Sequence, residues 1–115
     1  MNKPNVFEIE LRTTQVTLGD LPFTIKELTG SQRDQYLNEN LQRMRIDPAT
    51  GEARGFSNYK GLHTDLLSKC LYDSGGALVT KAMLEALPAS SLTGLFKLAN
   101  SLNSLDEDEE EAGNE

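Results

Sequence analysis

Cysteine occurs once, at Cys70, so no disulfide can close within the chain and a secreted disulfide scaffold is excluded. A lone thiol fits a reducing cytosol. Tryptophan is absent, aromatics make up 6% of the residues and the apolar fraction is only 37%. That composition predicts a thin core built of leucine, with some apolar surface left for a partner. No apolar run approaches the ~20 residues of a membrane span, and the opening MNKPNVFEIELRTT has no signal-like apolar stretch. The expectation is a protein neither exported nor embedded. Metal ligands are equally scarce: one His and one Cys cannot supply the three or four N/S donors of a zinc site.

A basic excess is also missing. The net charge is -7, and seven of the eighteen acids are Asp106, Glu107, Asp108, Glu109, Glu110, Glu111 and Glu115, so residues 1–105 carry eleven acids against eleven bases. Capture of nucleic acid through counterion release needs clustered Lys and Arg, whereas these eleven are scattered, with Arg43, Arg45 and Arg54 the only loose group. The run after Leu105 repels itself and is expected to be disordered over 106–115. Its default role is solvation; a nucleic-acid mimic and a dock for a basic partner are the sharper alternatives.

What is present is mostly helical pattern. At 115 residues one small domain is expected over 1–105. Val6 to Leu11 alternates, which predicts a strand with Phe7, Ile9 and Leu11 on one covered face and Glu8 and Glu10 on the other. Val16 to Leu18 and Phe23 to Ile25 flank the turn chemistry of Gly19-Asp20-Leu21-Pro22, predicting a hairpin that needs the helices or another sheet edge for support. Strands are thus expected within 1–27. Thr29 with Gln32 makes a capping box for a helix over 29–46, with Tyr36, Leu37, Leu41 and Met44 as a narrow apolar stripe and Pro48 as its stop. Residues 47–58 are rich in Gly and Pro and predict a mobile loop.

Residues 59–105 are expected to form a three-helix unit. Leu62, Leu66, Leu67, Cys70 and Leu71 give the first helix a broad apolar face, ended by Gly75-Gly76. Thr80 caps a short helix bearing Met83, Leu84 and Leu87, closed by Pro88. Ser90 or Ser91 caps the last helix, whose stripe is Leu92, Leu95, Phe96, Ala99 and Leu102. The fold class expected is therefore α+β, mainly α: a short N-terminal hairpin or strands, about four helices and an acidic tail.

Catalytic groupings are thin. His63 and Cys70 lie seven apart on one helix with Asp65 between them, but Cys70 falls on the apolar stripe, where a thiol behaves as a small hydrophobe rather than a nucleophile. Gly75-Gly76 is not followed by the Lys-Thr pair of a phosphate loop. The helix-turn-helix look of Leu62 to Leu102 is undercut by a last helix with a single base, Lys97, beside an anionic tail. No enzyme, cofactor site or metal site is expected.

From Phe23 onward the order of parts resembles the tail assembly chaperones of long-tailed bacteriophages. The carrying segments are F-T-I-K-E-L-T-G-S-Q-R-D-Q-Y, L-L-S-K-C-L-Y-D-S-G-G-A-L and L-E-A-L-P-A-S-S-L-T-G-L-F-K-L-A-N-S-L-N-S-L. The segment Val6 to Leu11 and the loop after Pro48 are not matched. The resemblance implies a non-enzymatic factor of the host cytoplasm that binds the tape measure protein, keeps it soluble, recruits tail tube protein and leaves before the virion is finished. It also implies self-association, and a longer product made by ribosomal frameshifting whose junction would fall in the acidic run. No nucleic acid or membrane partner is implied. For such a client the candidate contact residues are Leu62, Leu66, Leu92, Leu95, Phe96, Ala99 and Leu102, with charging of Phe96 as the expected way to break binding. The runner-up is a small cytosolic regulator or DNA mimic acting through its acidic tail.

Overall fold

A computed structural model describes residues 3–56 and 61–104. Expectations placed on residues 57–60, and on the tail from Leu105 onward, lie outside the described residues. The chain is an α+β fold, mainly α, whose described residues form a three-stranded antiparallel sheet, a smaller two-stranded one and four helices.

The hairpin joins β1 (Thr13–Leu18) to β2 (Leu21–Lys26) through Gly19-Asp20. Gly19 has φ 63°, the positive angle that a primed two-residue turn requires at its first central position. Pro22 falls inside β2, opposite Thr17. The Glu27 N–H donates to the Arg12 carbonyl at 2.7 Å, which sets the ladder's parity and turns the nitrogens of residues 22, 24 and 26 away from β1. On that side β2 pairs only at Thr24 and Ile25, with β5 (Leu71–Tyr72), so the missing N–H of Pro22 costs no bond.

Helix α1 (Gly30–Arg43) begins at the expected capping box: the Gln32 N–H donates to Thr29 Oγ1 and the Thr29 N–H to Gln32 Oε1. It does not run to residue 46. Met44–Ile46 is a strand, β3, paired with β4 (Ala53–Phe56), so the segment expected to be a loop contains half of a second hairpin. The β-compatible Met-Arg-Ile triplet finds a ladder partner there, and tertiary pairing overrides the helical reading.

Helix α2 (Leu62–Cys70) lies at the centre, packing on α1, on α3 (Lys81–Glu85) and on α4 (Ala89–Leu102). It ends at Cys70 rather than at the glycine pair, because Leu71 and Tyr72 turn their backbone to the free side of β2. Gly75-Gly76 instead makes the turn from Tyr72 to its bridge partner Leu78, where Asp73 Oδ1 accepts from the N–H groups of Gly75 and Ala77. Thr80 caps α3 as expected; α4 starts one residue ahead of Ser90, with Pro88 in the cap position.

Phe23, Ile25, Leu28, Tyr36, Leu66, Leu67, Cys70, Leu71, Val79, Leu84, Leu95 and Ala99 cluster as the core.

 Leu95 and Ala99 come from α4, one turn apart, and Val16, Leu18, Leu87, Leu92, Phe96 and Leu102 pack around the cluster's margin. The expected strand at Val6 to Leu11 is absent. Val6, Phe7 and Ile9 are 88%, 83% and 97% exposed, because no other part of the described chain supplies the face their alternation calls for.

The end of α4 is tied to the start of α1 by Asn103. Its Oδ1 accepts from the buried Leu28 N–H at 2.7 Å, its Nδ2 donates to the Ala99 carbonyl, and its own carbonyl accepts from Arg33. Arg12 adds a bond to the Leu102 carbonyl at 2.6 Å. Replacing Asn103 with alanine strands the Leu28 N–H in the interior and is expected to cost about 1–3 kcal/mol. Urea unfolding measures it; an unchanged midpoint would show that water replaces the side chain there.

Candidate functional site

The structure divides the seven residues expected to meet a client. Leu66, Leu95 and Ala99 are core residues, so they are not available as a surface. Leu92, Phe96 and Leu102 are half-buried and packed against the core, and Leu62 is half-buried at the start of α2. Phe96 also packs on His63, with ring centroids 4.4 Å apart and tilted by 57°. Charging Phe96 would therefore disturb folding and is a poor probe of binding. The helical stripe of α4 is apolar as its spacing predicts, and most of it packs into the core beside α2.

The aliphatic side chains that remain outside are elsewhere. Leu37 and Leu41 stand one turn apart on α1, Leu98 lies on α4, Met83 on α3, and Leu21 and Leu78 at the sheet. On α1 the reason is electrostatic. Tyr36, Asn40 and Arg43 form its buried face, not the leucines. Arg43 ion-pairs with Asp65 in the first turn of α2, and Arg43 Nη1 donates to Asn40 Oδ1 at 3.0 Å. Satisfying that guanidinium rotates α1 so that Leu41 is left 59% exposed. A single-helix pattern holds no signal for this, since the partner that decides it, Asp65, lies across the 47–58 segment.

His63, Asp65 and Cys70 do not assemble into a site. Asp65 is occupied by Arg43 and by Lys81, whose Nζ stands 2.7 Å from its Oδ1. Burial pushes the Cys70 thiol up to about 12, far from a nucleophile's range, and burial also lowers the His63 imidazole from its ordinary value. Among the described residues no three His, Cys, Asp or Glu side chains are grouped to hold a metal ion. The N–H groups of Gly75 and Ala77, which a phosphate loop would offer its ligand, are spent on Asp73.

Several of the described bases are engaged within the fold. Lys69 pairs with Glu39 at 2.9 Å, Arg12 with Glu27, and Lys26 lies 4.6 Å over the Tyr72 ring. The Arg12 backbone N–H, first, and its guanidinium hold the Glu27 carboxyl below its ordinary value. Arg43, one of the three bases that looked loose in the sequence, is buried in its ion pair. Among the described residues no helix is long and apolar enough to cross a membrane. What the geometry offers is apolar contact area on a body whose described charges are in part paired with one another. Comparison with protein-family models, characterised proteins and solved structures finds no match for this chain.

Proposed function

We propose that this chain is a tail assembly chaperone of a long-tailed bacteriophage. It binds the tape measure protein in the host cytoplasm, keeps it soluble, brings tail tube protein to it and is left out of the finished particle. The observation that carries this reading is the outward turn of α1, which leaves Leu37 and Leu41 on the surface while Asn40 and Arg43 are buried. A helix that presents leucine and buries arginine offers an apolar strip to another helix, and a tape measure protein is a long helical client. The resemblance of the segments from Phe23 onward supplies the biological setting.

Binding of this kind is non-covalent: leucines cover the client's apolar stripe, and the surrounding polar groups keep the complex in solution. The test is co-expression with a tape measure protein. Leu37→Ser combined with Leu41→Ser is expected to move most of the client to the insoluble fraction, while the variant itself unfolds within about 1 kcal/mol of the parent, as surface substitutions do. A folded double variant that keeps the client soluble would overturn the reading.

A further inference from the structure

The sheet has one edge that nothing described covers. Its order is β1-β2-β5, so β1 pairs on one side only. The Glu27 to Arg12 bond directs the pairing groups of residues 12, 14, 16 and 18 toward β2, and those of Thr13, Gln15 and Thr17 outward. Directly before this edge comes N-V-F-E-I-E-L-R, which alternates like a strand, forms none, and holds Val6, Phe7 and Ile9 almost fully outside. An uncapped edge beside an unpaired strand-like arm is a template for pairing between chains.

We infer that two copies of this chain exchange these arms, each laying residues 5–11 antiparallel along the β1 edge of the other, about a two-fold axis at Leu11.

The register follows from charge. With Leu11 opposite Leu11 of the second copy, Glu10 stands opposite Arg12 in both halves, Ile9 opposite Thr13, Phe7 opposite Gln15 and Val6 opposite Val16. Arg12 keeps 57% of its side chain exposed beside Glu27, so it has room for a second carboxylate. Moving the axis one residue either way places Arg12 opposite Arg12 or Glu10 opposite Glu10, which like charges across a strand pair disfavour. The side-chain faces also agree. Val6 and Glu10 fall on the face where Val16 and Leu18 meet the core, while Leu11 and Ile9 of the two copies meet as diagonal neighbours on the opposite face.

Pairing brings four large apolar side chains per arm, three of them more than four-fifths exposed, onto the shared sheet, with Val6 on the core face and Phe7, Ile9 and Leu11 on the other. The pairing is isologous, so it closes at two copies through this surface.

Light scattering across a concentration series should give the mass of a dimer for the parent chain and of a monomer for Ile9→Lys, a position so exposed that the fold does not depend on it. Cross-linking then fixes the register. Leu11→Cys should form a disulfide-linked dimer under mild oxidation at least tenfold faster than Phe7→Cys, whose two copies would stand eight residues, or about 27 Å, apart. Random collision would favour the more exposed position 7 instead. A monomeric parent, a dimeric Ile9→Lys, or equal cross-linking at positions 7 and 11 overturns the inference. The outcome is separable from the chaperone reading: a monomer that still keeps the tape measure protein soluble sinks the arm exchange alone, and a dimer that fails to do so sinks the proposed function alone.

Discussion

Replacing Asp65 with alanine is expected to destabilise the chain by about 3–5 kcal/mol, the cost of breaking a buried ion pair from one side. Asp65 and Arg43 keep only 9% and 10% of their side chains exposed, so removing the carboxylate takes the counter-charge from a desolvated guanidinium that keeps its neutral bond to Asn40. The loss is a large share of the 5–15 kcal/mol that holds a typical domain together. Gly61 belongs to the same arrangement: its φ is 79°, and a Cβ there would lie 3.1 Å from the Arg43 guanidinium. Lys81 also touches Asp65, but with 54% of its side chain in solvent it contributes below about 1 kcal/mol, and Lys81→Ala should barely move the urea midpoint. Arg43→Met combined with Asp65→Leu should lose less than the two single changes added together, because the pair is removed whole. An Asp65→Ala variant that unfolds with the parent would mean that water reaches Arg43 and that the pair is only a surface contact.

Leu66→Ala is expected to cost about 2–5 kcal/mol of folding stability, whereas Leu98→Ala should stay within about 0.5 kcal/mol of the parent. Leu66 is wholly buried on α2, between the helices that flank it, and its truncation opens a cavity that the surrounding core cannot fully close. Leu98 is 45% exposed on α4 and leaves no cavity. The comparison separates two roles that sequence spacing assigns to the same residue. A leucine at a client surface changes binding and leaves the melting curve in place; a core leucine does the reverse. Equal melting curves for the two variants would return Leu66 to the surface and undo the core described above.

Much of the architecture was legible because its causes are local. The Thr29–Gln32 capping box, the Thr80 cap, the hairpin turn at Gly19 and the apolar stripe of α4 each arise from residues within about one turn of each other. The class of fold followed from them. The binding surface was not legible in the same way. Apolarity and helical spacing, which mark its seven expected residues, are also the properties of a core, and Leu66, Leu95 and Ala99 lie inside for that reason.

By itself the sequence determined that this chain forms a mainly helical domain with one early hairpin, since caps, turns and period need no distant partner. Only the tertiary structure decided where α1 and α2 stop, which leucines face water, and that Val6 to Leu11 finds no strand partner among the described residues of its own chain. Each of these depends on a group far along the chain. Met44–Ile46 waits for β4, Leu71–Tyr72 for β2, and Arg43 for Asp65, whose buried charge outweighs the pull of Leu37 and Leu41 toward the interior. An ion pair taken out of water tolerates no misplacement, while two exposed leucines cost little more than the burial they forgo.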